Sequence, residues 1–158
     1  MFKPQQTPVY DDIDVGYELP QSQLTLTPTM IVRWIAATEI WRRDHHDRDY
    51  ALDKALPDII GSASWSRALL YAMVSNWVGH DGWVFKISQQ NRAYLVPGDG
   101  LTVWARVEKK YVKNDLGYLE LDLGLRNQEN VDAVRAQATV VLSLRGGPAV
   151  PYPFNPVE

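Results

Sequence analysis

The second half of the chain contains long segments in which apolar and polar residues alternate. In segment 118–126 every second residue is a leucine, namely Leu119, Leu121, Leu123 and Leu125. Segment 134–145 repeats the pattern with Val134, Ala136, Ala138, Val140, Leu142 and Leu144. Because successive side chains of a β-strand point to opposite faces, this alternation predicts strands with one buried face. Segments 83–92 and 101–111 are also predicted to be strands, so the chain must build an antiparallel sheet.

Turn-forming residues separate these segments. They are Pro97-Gly-Asp-Gly100, Asn114-Asp-Leu-Gly117 and Asn127-Gln-Glu-Asn130. Such clusters are typical of connections between antiparallel neighbours, so we predict a meander of about four long strands in chain order. Segment 24–27 is predicted to be a shorter strand that joins the edge of this sheet.

One strongly apolar helix is predicted before the long strands. It spans Ser64–Trp77 and stops at Gly79, and its apolar residues occupy most of the helical circumference. We expect it to be buried on nearly all sides, with the sheet curled around it. This is the hot-dog arrangement, an α+β fold. A second helix is predicted from Pro28 to about Ala37, with Thr27 as its N-cap.

Length and proline content predict how the chain is divided. A chain of 158 residues fits one domain, residues 1–158. Most of its ten prolines lie near the two ends. We therefore expect an extended N-terminal arm over about residues 1–23 and a proline-rich C-terminal tail over about residues 146–158.

Composition excludes several functional classes. The chain has no cysteine, which excludes disulfide scaffolds, thiolate zinc sites and cysteine nucleophiles. Its 16 basic and 19 acidic residues are interspersed and give a net charge of −3, so no basic face for nucleic acid is expected. No apolar run approaches the roughly 20 residues of a membrane helix, and the N-terminus has no signal-peptide pattern. We expect a cytoplasmic protein that binds neither nucleic acid nor membrane.

The densest polar chemistry lies between the two predicted helices, in Thr38-Glu-Ile-Trp-Arg-Arg-Asp-His-His-Asp-Arg-Asp-Tyr-Ala51. Together with Leu56-Pro-Asp-Ile-Ile60, this stretch resembles the MaoC-like hydratase and dehydratase family. Tyr10-Asp-Asp-Ile-Asp-Val-Gly16 and Val96-Pro-Gly-Asp99 extend the resemblance over most of the chain. The His-His-Asp-Arg-Asp run of residues 45–49 is similar to small MaoC-like subunits that act on steroid side-chain enoyl-CoA thioesters.

The resemblance implies an acid–base reaction at His45. In the family, a histidine and an aspartate five positions before it add water across the double bond of a trans-2-enoyl thioester. Here the aspartate position holds Ile40, which can neither accept a hydrogen bond nor orient water. Glu39, one residue earlier, and Asp44, which could orient the imidazole, are the candidate replacements. Asp47 is the alternative for the second role, although it is also the expected cap of the next turn.

The resemblance also implies where the substrate lies. A backbone amide at the start of the central helix, near Ser62 and Ala63, is expected to receive the thioester oxygen. Cations at the mouth of the site, Arg42 and Arg43, are expected to meet the phosphates of coenzyme A. Trp41 and Trp65 are expected to line an apolar tunnel for a bulky acyl group.

No metal or separate cofactor is expected, because coenzyme A is part of the substrate and adjacent histidines on a loop are a poor metal template. Two functions remain open from the sequence. One is an enoyl-CoA hydratase or 3-hydroxyacyl-CoA dehydratase, a lyase, or a subunit of one. The other is a non-catalytic subunit that binds acyl-CoA or stabilises a catalytic partner. A hot-dog thioesterase is a third possibility. We expect a homodimer, or a heteromer with a second MaoC-like chain.

Overall fold

A computed structural model describes residues 7–155 of the chain. Residues 1–6 of the expected arm and 156–158 of the expected tail lie outside this described part. The α-helices are α1 (Pro28–Thr38), α2 (Arg48–Asp53) and α3 (Ala63–Val78). The strands are β1 (Ser22–Thr25), β2 (Trp83–Asn91), β3 (Gly100–Lys113), β4 (Leu116–Arg126) and β5 (Asp132–Ser143). Short 3₁₀ turns occupy Tyr10–Asp12 and Arg43–His45.

The five strands form one antiparallel sheet in the order β1-β3-β4-β5-β2. Strands β3, β4 and β5 form the predicted meander, and β1 joins its edge beside β3 as expected. The prediction that β2 pairs with β3 is wrong, because β2 lies at the opposite edge and pairs with β5. The segment between β2 and β3 therefore crosses from one edge of the sheet toward the other.

The turn at Pro97-Gly98 redirects the chain after this crossing. Its Gly98 N–H donates to the Leu26 carbonyl at 2.8 Å, and the Leu26 N–H donates to the Asp99 carbonyl at 2.8 Å. These bonds hold the turn against the segment that follows β1, so the turn closes no hairpin. Sequence signals show that the chain turns here, but they do not show which strand it meets.

Helix α3 packs against one face of the sheet. The four alternating leucines of β4 are 0–2% exposed and belong to one core cluster with Leu70, Met73 and Val74 of α3. This confirms the α+β hot-dog fold. The helix is less enclosed than predicted, because Ala63, Arg67 and Tyr71, one turn apart, are exposed.

The predicted helix ends are observed. Thr27 caps α1 by accepting a hydrogen bond from the Met30 N–H, and Asp47 caps α2 by accepting one from the Tyr50 N–H. Helix α3 ends at Gly79, whose φ of 74° is a conformation that glycine adopts without strain. Within residues 7–155, no helix has the length and apolar character needed to cross a membrane.

Both ends of the described chain pack on the sheet. Tyr10, Ile13 and Leu19 of the arm are buried in the main core. Phe154 of the tail is buried in a second cluster and contacts the ring of Tyr118. The proline-rich composition therefore indicates extended segments that are nonetheless anchored by single large side chains.

Candidate functional site

The imidazole of His45 is held by the backbone of the segment that leads into α3. His45 lies at the end of the 3₁₀ turn Arg43–His45 and is 7% exposed. Its Nδ1 lies 2.7 Å from the Ile60 carbonyl oxygen. A carbonyl only accepts, so Nδ1 carries a proton and donates it, and in the neutral imidazole Nε2 is then the nitrogen with the lone pair. The Ile60 N–H in turn donates to the Asp44 carbonyl at 3.0 Å, which ties the two segments together.

The carboxylate of Asp44 is bonded to Arg42 rather than to His45. Arg42 Nε and Nη2 donate to its two oxygens at 3.1 and 2.9 Å. This bidentate hydrogen bond is the main reason that the pKa of Asp44 is lowered, although burial opposes it. Asp47 is also engaged, by the α2 cap and by Arg43. The structure thus orients the imidazole through the Ile60 carbonyl, with both neighbouring carboxylates used elsewhere.

Ile40 and Glu39 form the C-terminal stop of α1. Glu39 adopts a left-handed conformation with φ 55°, and the Ile40 N–H donates to the Ile35 carbonyl at 3.2 Å. This is the hydrogen bond of a Schellman cap, in which an apolar residue at the Ile40 position usually contacts the helix. Ile40 indeed packs against the same core cluster as Ile35. The isoleucine at the position of the expected aspartate therefore has a structural role, while Glu39 is exposed.

Serine hydroxyls organise the start of α3. Ser62 is buried and caps the helix by accepting from the Trp65 N–H at 3.2 Å. Its Oγ lies 2.9 Å from Ser64 Oγ, which accepts a hydrogen bond from Trp34 Nε1 at 2.9 Å. The helix begins at Ala63, and the first amides of a helix have no intrahelical acceptor. Ala63 lies three positions after Ile60, whose carbonyl binds His45, a span of at most about 11 Å.

A cleft of about 530 Å³ adjoins this segment. Its walls carry Arg42, Arg43, Asp44, Tyr50, Lys54 and Tyr94. Both arginines that the sequence suggested for phosphate binding therefore lie at one cleft. A larger groove of about 630 Å³ follows the β1–β3 edge of the sheet, but it includes none of these residues.

The two tryptophans expected to line a tunnel are placed differently. Trp65 is 8% exposed and belongs to the main core. Trp41 is 61% exposed, and its ring meets that of His46 edge to face at 6.0 Å. Neither residue lines the 530 Å³ cleft. Within residues 7–155 there is no group of three His, Asp or Glu side chains that could hold a metal ion.

Sequence reasoning missed several residues of this region. Ile60 acts through its backbone, which has no sequence signature. Lys54 and Tyr94 are 40 residues apart in sequence and meet only through the fold. Tyr50 could have been noticed, because it lies within the charged stretch that follows His45.

Comparison with known proteins places this geometry in context. No protein-family model matches the chain. The 3-oxo-4,17-pregnadiene-20-carboxyl-CoA hydratase beta subunit of Mycobacterium tuberculosis is 35% identical over 65 residues, which are 41% of this chain. The match spans half the length of that relative.

Solved structures match over more of the chain. The ChsH1–ChsH2 complex of M. tuberculosis contains a chain that is 27% identical, with a TM-score of 0.72 over 84% of this chain and 98% of that one. The (R)-hydratase PhaJ1 of Pseudomonas aeruginosa is 18% identical, with a TM-score of 0.76 over 95% and 94% of the two chains. A MaoC-like dehydratase of Rhodospirillum rubrum is 17% identical, with a TM-score of 0.74 over 85% and 96%. The chain therefore has the hot-dog fold of the MaoC-like dehydratases and (R)-hydratases, and the resemblance found in its sequence is confirmed.

Proposed function

We propose that the chain hydrates trans-2-enoyl-CoA thioesters, or dehydrates 3-hydroxyacyl-CoA in reverse, with His45 as the acid–base residue. The observation that carries this proposal is the 2.7 Å bond between His45 Nδ1 and the Ile60 carbonyl. It fixes the tautomer in which Nε2 is unprotonated. In its neutral form this imidazole presents Nε2 as a base that can take a proton from water.

The reaction balances with one base and one site for the oxyanion. His45 Nε2 takes a proton from water while the water oxygen bonds to Cβ of the enoyl group. The electron pair of the double bond moves toward the thioester oxygen, where the Ala63 amide at the start of α3 stabilises the charge. The imidazolium then returns its proton to Cα, which completes the addition of one water molecule. Dehydration follows the same steps in reverse.

The acyl group is proposed to be bulky and steroid-derived. Support comes from the curated relative, whose name describes a hydratase of a 3-oxo-pregnadiene carboxyl-CoA. That match includes 41% of this chain. Trp41 is 61% exposed, its ring lies 6.0 Å from that of His46, and it offers an apolar surface for such a group.

A non-catalytic role is the alternative, and Ile40 favours it. The position of the expected aspartate carries an isoleucine that packs into the core. Neither Asp44 nor Asp47 is bonded to the imidazole, since both are used by arginines. In this alternative the chain binds acyl-CoA or stabilises a catalytic partner.

We further propose that the chain works beside a second hot-dog chain, either a copy of itself or a related subunit. Among the strands of residues 7–155, β2 lies at the end of the sheet and pairs only with β5. A similar chain was solved as part of the ChsH1–ChsH2 complex of M. tuberculosis. The outer side of a nine-residue edge strand is a template for pairing with another sheet.

The test is hydration of crotonyl-CoA and of a steroid-derived enoyl-CoA. The reaction is monitored as the loss of absorbance of the conjugated thioester. The chain is assayed alone and after co-expression with a second MaoC-like chain from its own genome. We expect turnover that falls at least about 100-fold in His45→Ala. The matched control is His46→Ala, since His46 is adjacent but exposed and is expected to retain activity.

The outcome decides between the two functions. Turnover that survives His45→Ala contradicts the proposed role of His45. Turnover of the co-expressed pair that requires only the partner's residues supports the non-catalytic alternative. Gain of activity in Ile40→Asp by an otherwise inert chain also supports that alternative. Release of free coenzyme A, detected with a thiol reagent, would instead indicate a thioesterase.

A further inference from the structure

Strand β2 carries two polar residues on the face that it turns toward α3. Gln89 and Asn91 lie directly opposite Ala136 and Val134 of β5, which are buried in the core. Residues that lie opposite each other on neighbouring strands point to the same face of the sheet. Ile87, on the same face of β2, packs against the core as expected. Polar residues at inward positions break the alternating pattern, and such exceptions are common at functional sites.

The side-chain amide of Gln89 holds the first residue of α3. Its Nε2 donates to the Ala63 carbonyl at 2.9 Å and to Ser66 Oγ at 3.1 Å. It also donates to Asn91 Oδ1 at 2.9 Å. Ser66, which is fully buried, donates its own proton to the Ala63 carbonyl at 3.0 Å. Two side chains therefore bind this carbonyl, one from the helix and one from the edge strand of the sheet.

The same arrangement leaves the amide oxygen of Gln89 without a partner. Within residues 7–155, its Oε1 is buried and has no hydrogen-bond donor. Exchanging the two ends of the amide would not help, because the Ala63 carbonyl only accepts and needs the N–H end. A buried acceptor without a donor is costly, and a leucine at position 89 would avoid that cost. The chain therefore keeps the bond to Ala63 at the expense of stability.

The carbonyl that Gln89 binds belongs to the residue whose amide is proposed to receive the thioester oxygen. On one side of Ala63, Ser62 caps the helix by accepting from the Trp65 N–H. On the other side Gln89 fixes the carbonyl, so Ala63 is restrained from both directions. A hydrogen bond to a carbonyl also polarises the peptide group, which makes the adjoining Ser64 N–H a better donor. Both effects help the start of the helix to stabilise negative charge.

We infer that Gln89 is a positioning residue for the proposed reaction, acting through the Ala63 carbonyl to orient and polarise the amides that stabilise the charge on the thioester oxygen. The inference rests on the proposed function and deepens it, because it adds a residue of the edge strand β2 to the site. In this role Gln89 contacts no reacting atom. Its loss should therefore lower the rate of the reaction rather than the affinity for substrate.

The first test is the steady-state kinetics of Gln89→Leu with crotonyl-CoA, alone and with the co-expressed second chain. Leucine has a similar size but cannot donate to the Ala63 carbonyl. We expect kcat and kcat/KM to fall together by at least about tenfold, with KM within about twofold of the wild type. A purely structural role would instead lower the melting temperature and leave kcat per folded chain unchanged.

The matched control is Gln90→Leu. Gln90 is the next residue of β2, is exposed and points to the opposite face of the sheet. The variant makes the same chemical change on the same strand without touching α3. We expect it to have the kcat and KM of the wild type.

The second test does not need turnover. Acetoacetyl-CoA is a 3-oxoacyl thioester whose enolate absorbs in the ultraviolet and carries negative charge on the thioester oxygen. When it is bound to the wild type, we expect the enolate to form at lower pH than in free solution, because the amides favour the charged form. With Gln89→Leu the enolate is expected to form at a pH at least about one unit higher than with the wild type, which is a tenfold loss of stabilisation. Gln90→Leu is expected to match the wild type.

Wild-type kcat in Gln89→Leu, a rise in KM alone, or an equal loss in Gln90→Leu would each overturn the inference. Absence of bound enolate in the wild type, or enolate formation at the same pH in Gln89→Leu, would do so too. Failure of the proposed function gives a different result. An inert chain whose bound enolate depends on Gln89 but not on Gln90 supports the inference and contradicts catalysis. Turnover that depends on His45 but not on Gln89 supports catalysis and overturns the inference.

Discussion

The orientation of His45 depends on one backbone carbonyl rather than on a carboxylate. Ile60 accepts the Nδ1 proton, and the Ile60 N–H bonds back to the Asp44 carbonyl. A neutral acceptor holds the imidazole as a carboxylate does, but it would give less stabilisation to the imidazolium of the proposed reaction. This difference is a physical reason to expect a slower acid–base step than a histidine–aspartate pair would support.

The Asp44–Arg42 pair makes a contribution to stability that depends on pH. Because the pKa of Asp44 is lowered in the folded chain, chiefly by the Arg42 hydrogen bond, its ionised form stabilises the fold. That contribution is present above the ordinary carboxyl pKa of about 4 and is lost as pH falls through the lower, folded value. Asp44→Asn is therefore expected to unfold at lower urea concentration than wild type at pH 7, with the difference shrinking toward pH 3.

Asp49 provides the control for Asp44→Asn, because it lies in the same segment and is exposed. Asp49→Asn is expected to leave the urea midpoint close to that of the wild type at both pH values. A deficit of Asp44→Asn that is equally large at pH 7 and pH 3 would mean that packing of the side chain, rather than its charge, is what matters.

At the residue scale, the sequence predicted identities better than contacts. Thr27 and Asp47 were correctly predicted as caps, because capping depends on local side-chain chemistry. The role of His45 stays a prediction that rests on the family resemblance. The acceptor for His45 could not be predicted, since any residue at position 60 has a carbonyl. The residues of the cleft could not be grouped either, because Lys54 and Tyr94 meet only after the chain has folded.

At the scale of elements, the end of α1 shows why an isoleucine suits position 40. Ile40→Asp replaces a core contact with a charge next to the Schellman cap. We expect it to lower the free energy of unfolding by about 1–3 kcal/mol, as for other losses of a partly buried aliphatic group. Urea unfolding followed by tryptophan fluorescence measures this.

Ile40→Val is the matched control, because it keeps an aliphatic side chain at the cap and is expected to cost about 1 kcal/mol or less. Equal stability of Ile40→Asp and wild type would show that the cap does not use this side chain. The structural role assigned to Ile40 would then be wrong.

The N-terminal arm is held against β4 by a close contact between Tyr10 and Gly117. A Cβ atom added to Gly117 would overlap the Tyr10 ring, so Gly117→Ala must displace the arm. We expect it to destabilise the fold by about 1–3 kcal/mol. In a Tyr10→Gly background all the overlapping Tyr10 atoms are removed, including the Cβ that would lie 2.7 Å from the added atom, and the added methyl is expected to cost less than about 0.5 kcal/mol. Urea unfolding of the four variants of this double-mutant cycle measures the coupling, and additive effects would contradict the contact.

Element bounds were predictable from sequence, but element neighbours were not. The long strands begin and end within about two residues of the alternating segments, because alternation reports directly on a buried face. The position of β2 was missed because turn residues report only that the chain reverses. Its pairing with β5 joins segments about 50 residues apart, and no local signal encodes that choice.

At the scale of the whole molecule, the sheet has two unequal edges. Strand β1 has four residues, whereas β2 has nine. The Arg92 N–H donates to the Ala133 carbonyl at 2.8 Å, so the N–H of this residue points toward β5. Along an antiparallel strand, the N–H groups of successive residues point alternately toward and away from the neighbouring strand. The N–H groups of Gln89 and Asn91 therefore face away from β5. The exposed stripe of α3 supplies further surface that a second chain could cover.

If a second hot-dog chain pairs with β2, removing an outward N–H should weaken association without unfolding the chain. Asn91→Pro removes one such group and leaves the β5 ladder intact, while Gln90→Pro removes a ladder hydrogen bond. We expect Asn91→Pro to raise the dissociation constant of the assembly at least about tenfold, seen in sedimentation velocity as a shift toward the single-chain mass. The melting temperature is expected to be almost unchanged. Gln90→Pro is expected to lower the melting temperature itself. Association of Asn91→Pro equal to that of wild type would place the partner on another surface, and it would leave β2 as a free edge in the assembled protein.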